Sequence, residues 1–512
     1  MNNSIYIYGA SGHGLVVADI AIECSYDNII FIDDGDNDYP NFEDIKLNID
    51  IPIALGVGDN KIRAKLFKKA KDNGFKIVSL IHSSAIISSS SKIGIGTVIM
   101  PNVVVNAKTI IGDGVILNTA CVVEHENIID DFVHISPNVA ISGDVKVGEF
   151  THIGIGSNII QGIRIGKNNI IGGGSMIIKD TKNNSKMVGV PAREINILIT
   201  SAGRRVSLVK NFQDTLKKWG GEDSKVYTTD MSPKLSSACQ VSDGYLQVPR
   251  VTDESYLSTL KEYCLENSIS LIVPTIDTEL SILANAKDDF KNNGISIVIS
   301  DINVCDTFYL KDSTEKFFVD NGFDTTKSID NLENAKYPLF AKLNNSSLSV
   351  GACKVDDYNH AKELLEKSDN YIFQEFIDAD EFTVDTFIDK NGEIISIVPR
   401  QRLEVRAGEV NKALAVKDEF IFNEIKRLCK KIDGAYGTLT IQLFKSNEFI
   451  KFIEINPRFG GGYPLSWKAG ANFAEYIIKD YLGKKLKYSE DWKDRTLMLR
   501  YDAEVIIDDY SL

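Results

Sequence analysis

From Ile93 to Ile177 every sixth residue is aliphatic. Ile93, Ile99, Val105, Ile111, Leu117, Val123, Ile129, Ile135, Ile141, Val147, Ile153, Ile159, Ile165, Ile171 and Ile177 form an unbroken run of fifteen such positions. Neither a 3.6-residue helix nor a heptad generates a strict period of six, and the intervening Gly, Asn and Asp are poor helix formers. A hexapeptide solenoid does generate it. Each six-residue side of a triangular coil points one aliphatic side chain into a stacked core, so this run makes about five coils.

The flanking segments have other periods. Residues 4–9 are β-rich and lead into Gly9-Ala10-Ser11-Gly12-His13-Gly14, a helix-like segment reaching about Cys24, and a second strand at 29–32 that ends at Asp33-Asp34. Strand candidates at 51–55 and 76–80 flank a helical stretch at 60–72. Strands alternating with helices imply a small parallel sheet. The solenoid ends near Lys179, Val188-Gly189-Val190-Pro191-Ala192 follows, and strands are expected at 196–200, 225–229, 270–274 and 295–299 between helical patterns. Residues 301–480 mix helices with strand runs at 339–342, 371–376, 381–388 and 449–455. The expected domains are 1–84, 85–195, 196–300 and 301–512.

Charge and cysteine usage narrow the function classes. Lys and Arg total 57 against 71 acids, a net −14, of which −4 falls in residues 1–195 and −10 in the rest. Neither part is basic, which argues against nucleic acid or an anionic membrane as partner. Seven Cys without a CxxC pair read as reduced thiols. No apolar run approaches ~18 residues, and no basic n-region precedes an apolar stretch. The expectation is a soluble cytoplasmic protein with no membrane insertion.

A solenoid alone is a scaffold, so chemistry must come from what interrupts it. Glu124-His125-Glu126 places a histidine between two carboxylates, and a carboxylate can fix the tautomer of an imidazole acting as general base. His134 lies nine residues on and His152 a further 18, one full coil. The spacing Gly9-x-x-Gly12-x-Gly14 departs from the dinucleotide pattern and fits either a structural turn or a phosphate cradle at a helix start.

Residues 6–14, the Asp33-Asp34 pair, the hexapeptide run, Glu124-His125-Glu126 and Gly189-Val190-Pro191-Ala192 together resemble the bacillosamine-type sugar-nucleotide acetyltransferases, over about residues 3–195. The resemblance implies a left-handed parallel β-helix carrying a small Rossmann-like α/β domain, acetyl-CoA as cosubstrate and a homotrimer. It also implies that His125 is the general base with Glu126 orienting it, that the Gly143 N–H stabilises the oxyanion, and that His134 and Gly172-Gly173-Gly174 line the acetyl-CoA groove. By the same implication Gly9, Gly12, His13, Gly14, Asp33 and Asp34 hold a UDP-linked amino sugar.

Four features converge after residue 300. Lys342 ends a strand and precedes the small-residue loop Asn344–Gly351, suited to covering phosphates. Gln374-Glu375 followed by Glu381 offers a hinge segment with a carboxylate for ribose hydroxyls. Gln442, Glu454 and Asn456 supply three oxygen ligands suited to Mg²⁺ bridging ATP phosphates, with Arg458 beside them to offset phosphoryl charge. In this order they resemble the ATP-grasp ligases, especially the carbamoyl-phosphate-synthetase-like group. Residues 197–205 and 274–280 match that group's leading subdomain, although Asn and Ser stand where the family's phosphate loop carries glycines. The resemblance implies an α+β ATP-grasp fold that activates a carboxylate as an acyl phosphate and joins it to an amine. Arg402 and Arg406, in a stretch with Glu404 and Glu409, are candidates to hold an amino-acid carboxylate or a diphosphate, or else part of a surface ion-pair network.

The combined expectation is a bifunctional sugar-tailoring enzyme: an acetyl-CoA-dependent N-acetyltransferase fused to an ATP-dependent amide ligase that takes an amino acid. The alternative is an inactive trimeric scaffold carrying one active ligase.

Overall fold

The computed structural model describes residues 3–190, 194–221, 223–344, 351–406 and 408–508. The chain divides into two compact units, residues 1–195 with 220–223, and residues 196–219 with 224–512.

The first unit opens with a parallel sheet of Asn28–Ile32, Ser4–Tyr8 and Ile53–Leu55, in that order, with helices Gly12–Glu23 and Asn60–Asp72 beside it. The expected fourth strand at 76–80 does not join it. Ile77 makes a single bridge to Ile53, and Leu80–Ile81 instead starts the solenoid.

The six-residue period becomes a parallel β-helix of three faces. All fifteen aliphatic positions are the second residue of a two-residue strand, and fourteen of them, from Ile99 to Ile177, are buried to 3% exposure or less. Removing such side chains from water contributes about 1.5–3 kcal/mol each, so the stacked column holds the coils together. The solenoid begins two sides earlier than the fifteen, with Leu80–Ile81 and Ile86–Ile87 in the same register.

The corners obey the same period. Every sixth residue from Gly96 to Gly174 has a positive φ, between 55° and 75°, whether it is Gly or Asn102, Lys108, Ala120, Glu126, Phe132, Asn138, Asp144, Phe150 or Asn168. Left-handed backbone costs a non-glycine residue of order 1 kcal/mol. The repeat therefore pays at each non-glycine corner for turns tight enough to keep the coil triangular.

The buried Arg63 fastens helix Asn60–Asp72 to the solenoid. Its guanidinium donates to the carbonyls of Gly114 (2.7 Å), Phe132 (3.0 Å), Gly58 (3.0 Å) and Val57 (3.2 Å) and to Asn60 Oδ1 (2.8 Å). Burial lowers its pKa to about 9, with Asp59 opposing. Asn60 Nδ2 adds bonds to the carbonyls of Phe150 and Thr151.

The second unit contains three sheets. A five-stranded parallel sheet runs Gly244–Gln247, Val226–Asp230, Asn196–Ile199, Ile269–Val273, Ser296–Ile297. Its order reverses between the third and fourth strands, and such a switch point leaves a crevice at the strands' carboxyl ends. A three-stranded antiparallel sheet follows (Cys353–Val355, Leu339–Leu343, Tyr371–Glu375). A six-stranded antiparallel sheet completes the unit: Ile450–Asn456, Gly437–Lys445, Asp380–Ile388, Ile394–Arg406, Glu409–Ala415, Leu497–Leu499. This is the architecture of an ATP-grasp fold, with residues 376–379 joining the two antiparallel sheets. Among the described residues no helix is long and apolar enough to cross a membrane, and all seven cysteines are free thiols.

Candidate active sites

His125 stands on the corner between the second face of the solenoid (Val122–Val123) and the third (Ile128–Ile129). Its ring is 57% exposed, and Nδ1 lies 3.3 Å from Glu126 Oε2. Glu124 turns away and accepts from Asn106 Nδ2 at 2.9 Å, so only one of the flanking acids reaches the imidazole. With Nδ1–H facing Glu126, the Nε2 lone pair is left toward solvent, the arrangement a general base needs.

Gly143 lies one coil further, under that ring. A Cβ there would meet His125 Cε1 at 2.5 Å and Nε2 at 2.7 Å. At the corner between the third and first faces the residue one coil on caps the amide with a side-chain oxygen, as Asp113 does for Ile95 and Asp131 for Asp113. Gly143 has no side chain with which to cap His125. Among the described residues no protein acceptor bonds the Gly143 N–H.

The residues expected to line the acetyl-CoA groove lie on other parts of the prism. His134 is on the first face and 9% exposed, with Nδ1 at 3.3 Å from the Gly58 carbonyl and Nε2 at 3.3 Å from Asn118 Nδ2. It stacks on His152 at 4.7 Å and faces His13 at 6.2 Å. Burial pushes its pKa to about 3, reinforced by His152, Arg63 and His13. His134 is thus no part of an open groove within its own chain. Gly172, Gly173 and Gly174 turn the corner between the first and second faces, and Gly173 packs on Ile155. One chain therefore sets His125 and the Gly172–Gly174 corner on opposite borders of the second face, a side of six residues, or at most ~20 Å.

The glycines of the N-terminal loop separate into two kinds. A Cβ at Gly14 would strike the Gly9 carbonyl at 2.0 Å, and one at Gly9, where φ is +115°, would meet Val57 at 2.6 Å. Both are required for backbone packing against Gly56. Gly12 has no atom within 4 Å of a built Cβ, and Ser11 gives helix Gly12–Glu23 no side-chain cap. The first-turn N–H groups of this helix start remain open toward an anion. His13 Nε2 is buried with no hydrogen-bond partner among the described residues, and burial, aided by Arg63, takes its pKa to about 4.

Asp33 and Asp34 turn out to serve the fold. Asp33 accepts from the N–H groups of Ala10 and Gly35, and these bonds hold its pKa down. Asp34 accepts from Tyr8 Oη (2.5 Å), Lys69 Nζ (2.9 Å) and the Phe42 N–H (2.9 Å). Their lone pairs are largely spent within the chain, which weakens both as nucleoside contacts.

In the second unit the strand registers gather the expected ligands. Gln442 lies opposite Glu454, and Asn456 is two residues on, hence on the same face. Gln442 Nε2 and Asn456 Nδ2 both donate to Glu454 Oε1, at 2.8 and 3.0 Å. The amide oxygens face arginines: Arg402 Nη1 is 3.2 Å from Gln442 Oε1, and Arg458 Nη2 is 3.2 Å from Asn456 Oδ1. One carboxylate and two amide oxygens within mutual reach fit a hard, oxygen-preferring cation that completes its shell from phosphates. Among the described residues no three His, Cys, Asp or Glu side chains gather to hold a metal without such help.

Lys342, 6% exposed, faces this group, and burial lowers its pKa to about 8 against the pull of Glu454. Lys311, at the start of helix Lys311–Asp320, is likewise lowered by burial, with Glu454 and Asp277 opposing. Two desolvated ammonium groups, both attracted by Glu454, provide for phosphate oxygens. No local sequence motif marks Lys311.

Several expected nucleotide and substrate contacts move. Gln374 is buried and committed to Thr326 and Glu315, while Glu375 pairs with Lys451 at 2.6 Å. Arg402 braces Glu381 (2.5 Å) and Gln442, so it belongs to the ligand cluster instead of a separate substrate patch. Burial raises the Glu381 carboxyl pKa, with Arg402 opposing. Arg406 stands exposed near the hairpin tip. Residues 345–350 of the phosphate loop, and Pro191 and Ala192, lie outside the described residues.

Comparisons with known proteins match this division. Family models match residues 4–70 (PglD N-terminal domain), 197–298 (PylC-like, N-terminal domain) and 367–502 (ATP-grasp in the biosynthetic pathway with Ter operon). The acetyltransferase domain of PglB from Neisseria gonorrhoeae is 36% identical, with 38% of this chain covering 99% of that one at a TM-score of 0.36. PerB from Caulobacter crescentus, solved with CoA and GDP-perosamine, is 32% identical over 37% of this chain and 96% of its own, TM-score 0.36. A tyramine–L-glutamate ligase from Methanocaldococcus jannaschii is 35% identical over 139 residues, 26% of this chain. That match spans 43% of the relative, under half its length.

Proposed function

The first unit of the chain belongs to the family of PglB-type acetyltransferases, and on that premise we propose that the protein is a bifunctional sugar-tailoring enzyme. It acetylates a UDP-linked amino-dideoxy sugar, or its aminoacyl derivative, with acetyl-CoA, and joins an amino acid to the sugar amine with ATP and Mg²⁺. The observation that carries the first activity is the His125–Glu126 pair over Gly143. His125 Nε2 takes the proton of the sugar amine as its nitrogen attacks the thioester carbonyl, and the Gly143 N–H meets the oxygen where negative charge develops. Collapse of the tetrahedral intermediate expels the CoA thiolate, to which His125 returns the proton. The open helix start at Gly12 receives the diphosphate.

The assembly proposed is a homotrimer. The second face carries an outward ladder of Ile86, Val104, Val122 and Ala140, then Asn158 and Met176, whereas the third face presents Lys92, Ile110, Ile128, Lys146 and Arg164. An apolar face bordered by His125 on one side and the Gly172–Gly174 corner on the other supports a site made from neighbouring copies.

In the ligase unit Lys311 and Lys342 hold ATP phosphates, Glu454, Asn456 and Gln442 hold Mg²⁺, and Arg458 faces the transferring phosphoryl group. Bound there, Mg²⁺ would neutralise phosphate charge. The carboxylate takes the γ-phosphoryl group, and the amine then displaces phosphate. Ligation comes first and acetylation second, since an acetylated amine is no longer a nucleophile, and two sites in one chain raise the local concentration of the intermediate. Free thiols and the negative charge are in keeping with a cytoplasmic location. The test is mass spectrometry of products from the full chain with a UDP-4-amino sugar, ATP, Mg²⁺, amino acids and acetyl-CoA. An aminoacylated and then acetylated sugar is expected. Acetylation of the bare sugar with no amide formed would overturn the ligase assignment.

A further inference from the structure

We infer that Asp277, contributed by the parallel-sheet subdomain, is the positioning residue for Arg458, an inference that rests on the ligase reading above. Asp277 is the first residue of helix Asp277–Asn285, just past the carboxyl end of strand Ile269–Val273 at the switch point of the sheet. Its two oxygens take Arg458 Nε at 2.9 Å and Nη2 at 2.6 Å, a fork-to-fork pair with side chains only 14% and 21% exposed. Such bidentate geometry fixes the plane of a guanidinium as well as its place.

The rest of the surroundings leave this task to Asp277. Arg458 Nη1 touches the Phe459 carbonyl at 3.3 Å and Nη2 the Asn456 oxygen at 3.2 Å, both neutral acceptors. Arg205, from the loop after strand Asn196–Ile199, comes in beside it and donates to the carbonyls of Phe459 (3.1 Å) and Thr275 (2.8 Å). Two guanidiniums thus converge on the turn after Asn456. Glu279, the other buried carboxylate of this corner, is occupied by Thr200, Ser201, Tyr256 and the N–H groups of Thr275 and Ile276. Among the described residues Asp277 is the carboxylate that Arg458 bonds, and it also attracts the neighbouring Arg205, as Glu409 and Glu279 do. Without it the Arg458 guanidinium keeps only those two long contacts to neutral acceptors, beside a second cation. On this inference the subdomain takes part in phosphoryl transfer by way of Arg458.

The experiment uses the full chain and follows ADP release with ATP, Mg²⁺, an amino acid and a UDP-4-amino sugar. Asp277→Asn keeps shape and loses charge. Its kcat is expected to fall about 10- to 100-fold, the usual range for a residue that orients a working group, with KM for ATP changed less than about threefold. Asp277→Glu is expected to recover part of the loss. The double variant Asp277→Asn/Arg458→Gln should be no slower than Arg458→Gln alone, because the two residues act as one. Additive losses that parallel a drop in melting temperature would assign Asp277 a stability role only and overturn the inference. Unchanged kcat in Asp277→Asn beside normal wild-type turnover would overturn it alone. A wild-type chain that releases no ADP with any acceptor would remove the ligase reading and the inference together.

Discussion

Gly143→Ala separates the geometry of the acetyl-transfer site from the stability of its scaffold. The new Cβ would lie 2.5 Å from His125 Cε1, 2.7 Å from Nε2 and 3.1 Å from Nδ1. Ordinary carbon contacts begin near 3.5 Å, so the ring must retreat by about 1 Å. It can do so cheaply, because it is 57% exposed and is tethered only by a 3.3 Å contact to Glu126. Gly143 is also absent from the positive-φ corners, which fall at 138, 144 and every sixth residue around them. Alanine at an ordinary φ restricts the unfolded chain and is worth about 0.4–1 kcal/mol in favour of folding. The melting temperature should therefore hold or rise slightly. A displacement of ~1 Å in a reacting group costs on the order of 100-fold, and the backbone N–H remains in place. The assay is CoA release from acetyl-CoA with a UDP-4-amino sugar, or its aminoacyl amide, alongside a thermal melt. Full turnover would refute the role of His125 as base. Loss of turnover together with a collapsed melt would refute the claim that the corner tolerates the methyl group.

The remaining expectations probe other parts of the molecule. Glu454→Gln should abolish ATP-dependent ligation, read as ADP release, and leave acetyl transfer intact. Val122→Arg, placing a charge on the apolar second face, should convert trimer to monomer by light scattering and remove acetyl transfer; an active monomer would contradict the shared site. His13 and His134 are held neutral, at about 4 and about 3 against an ordinary value near 6.5. The unfolded chain therefore binds more protons below pH 6.5. Stability should be complete above that pH and fall as the medium is acidified toward pH 4, by up to ~1.4 kcal/mol per unit for each histidine. Urea midpoints of wild type and a His13→Asn/His134→Asn variant should diverge over that range, and parallel curves would contradict the burial argument.

What the sequence determined by itself is what is periodic or contiguous. The solenoid was legible because one aliphatic residue in six must face a column shared by every coil, a period that neither a helix nor a heptad produces. Glu454 and Asn456 were legible as a pair because a strand places residues two apart on one face. The positive-φ corners fell outside such reading: Lys108, Ala120, Phe132 and Phe150 are ordinary residues, strained only because the coil must turn there. Tertiary structure alone decided which residues meet. It set His134 against His13 and Gly58 and away from His125, spent Asp33 and Asp34 on the backbone and on Tyr8, and moved Arg402 into the ligand cluster. It brought up Lys311, Arg63 and Asp277, whose partners lie far away along the chain (Asp277 and Arg458 are 181 residues apart). A side chain's role is set by its neighbours in space, and local pattern records only the neighbours that share its helix, strand or coil.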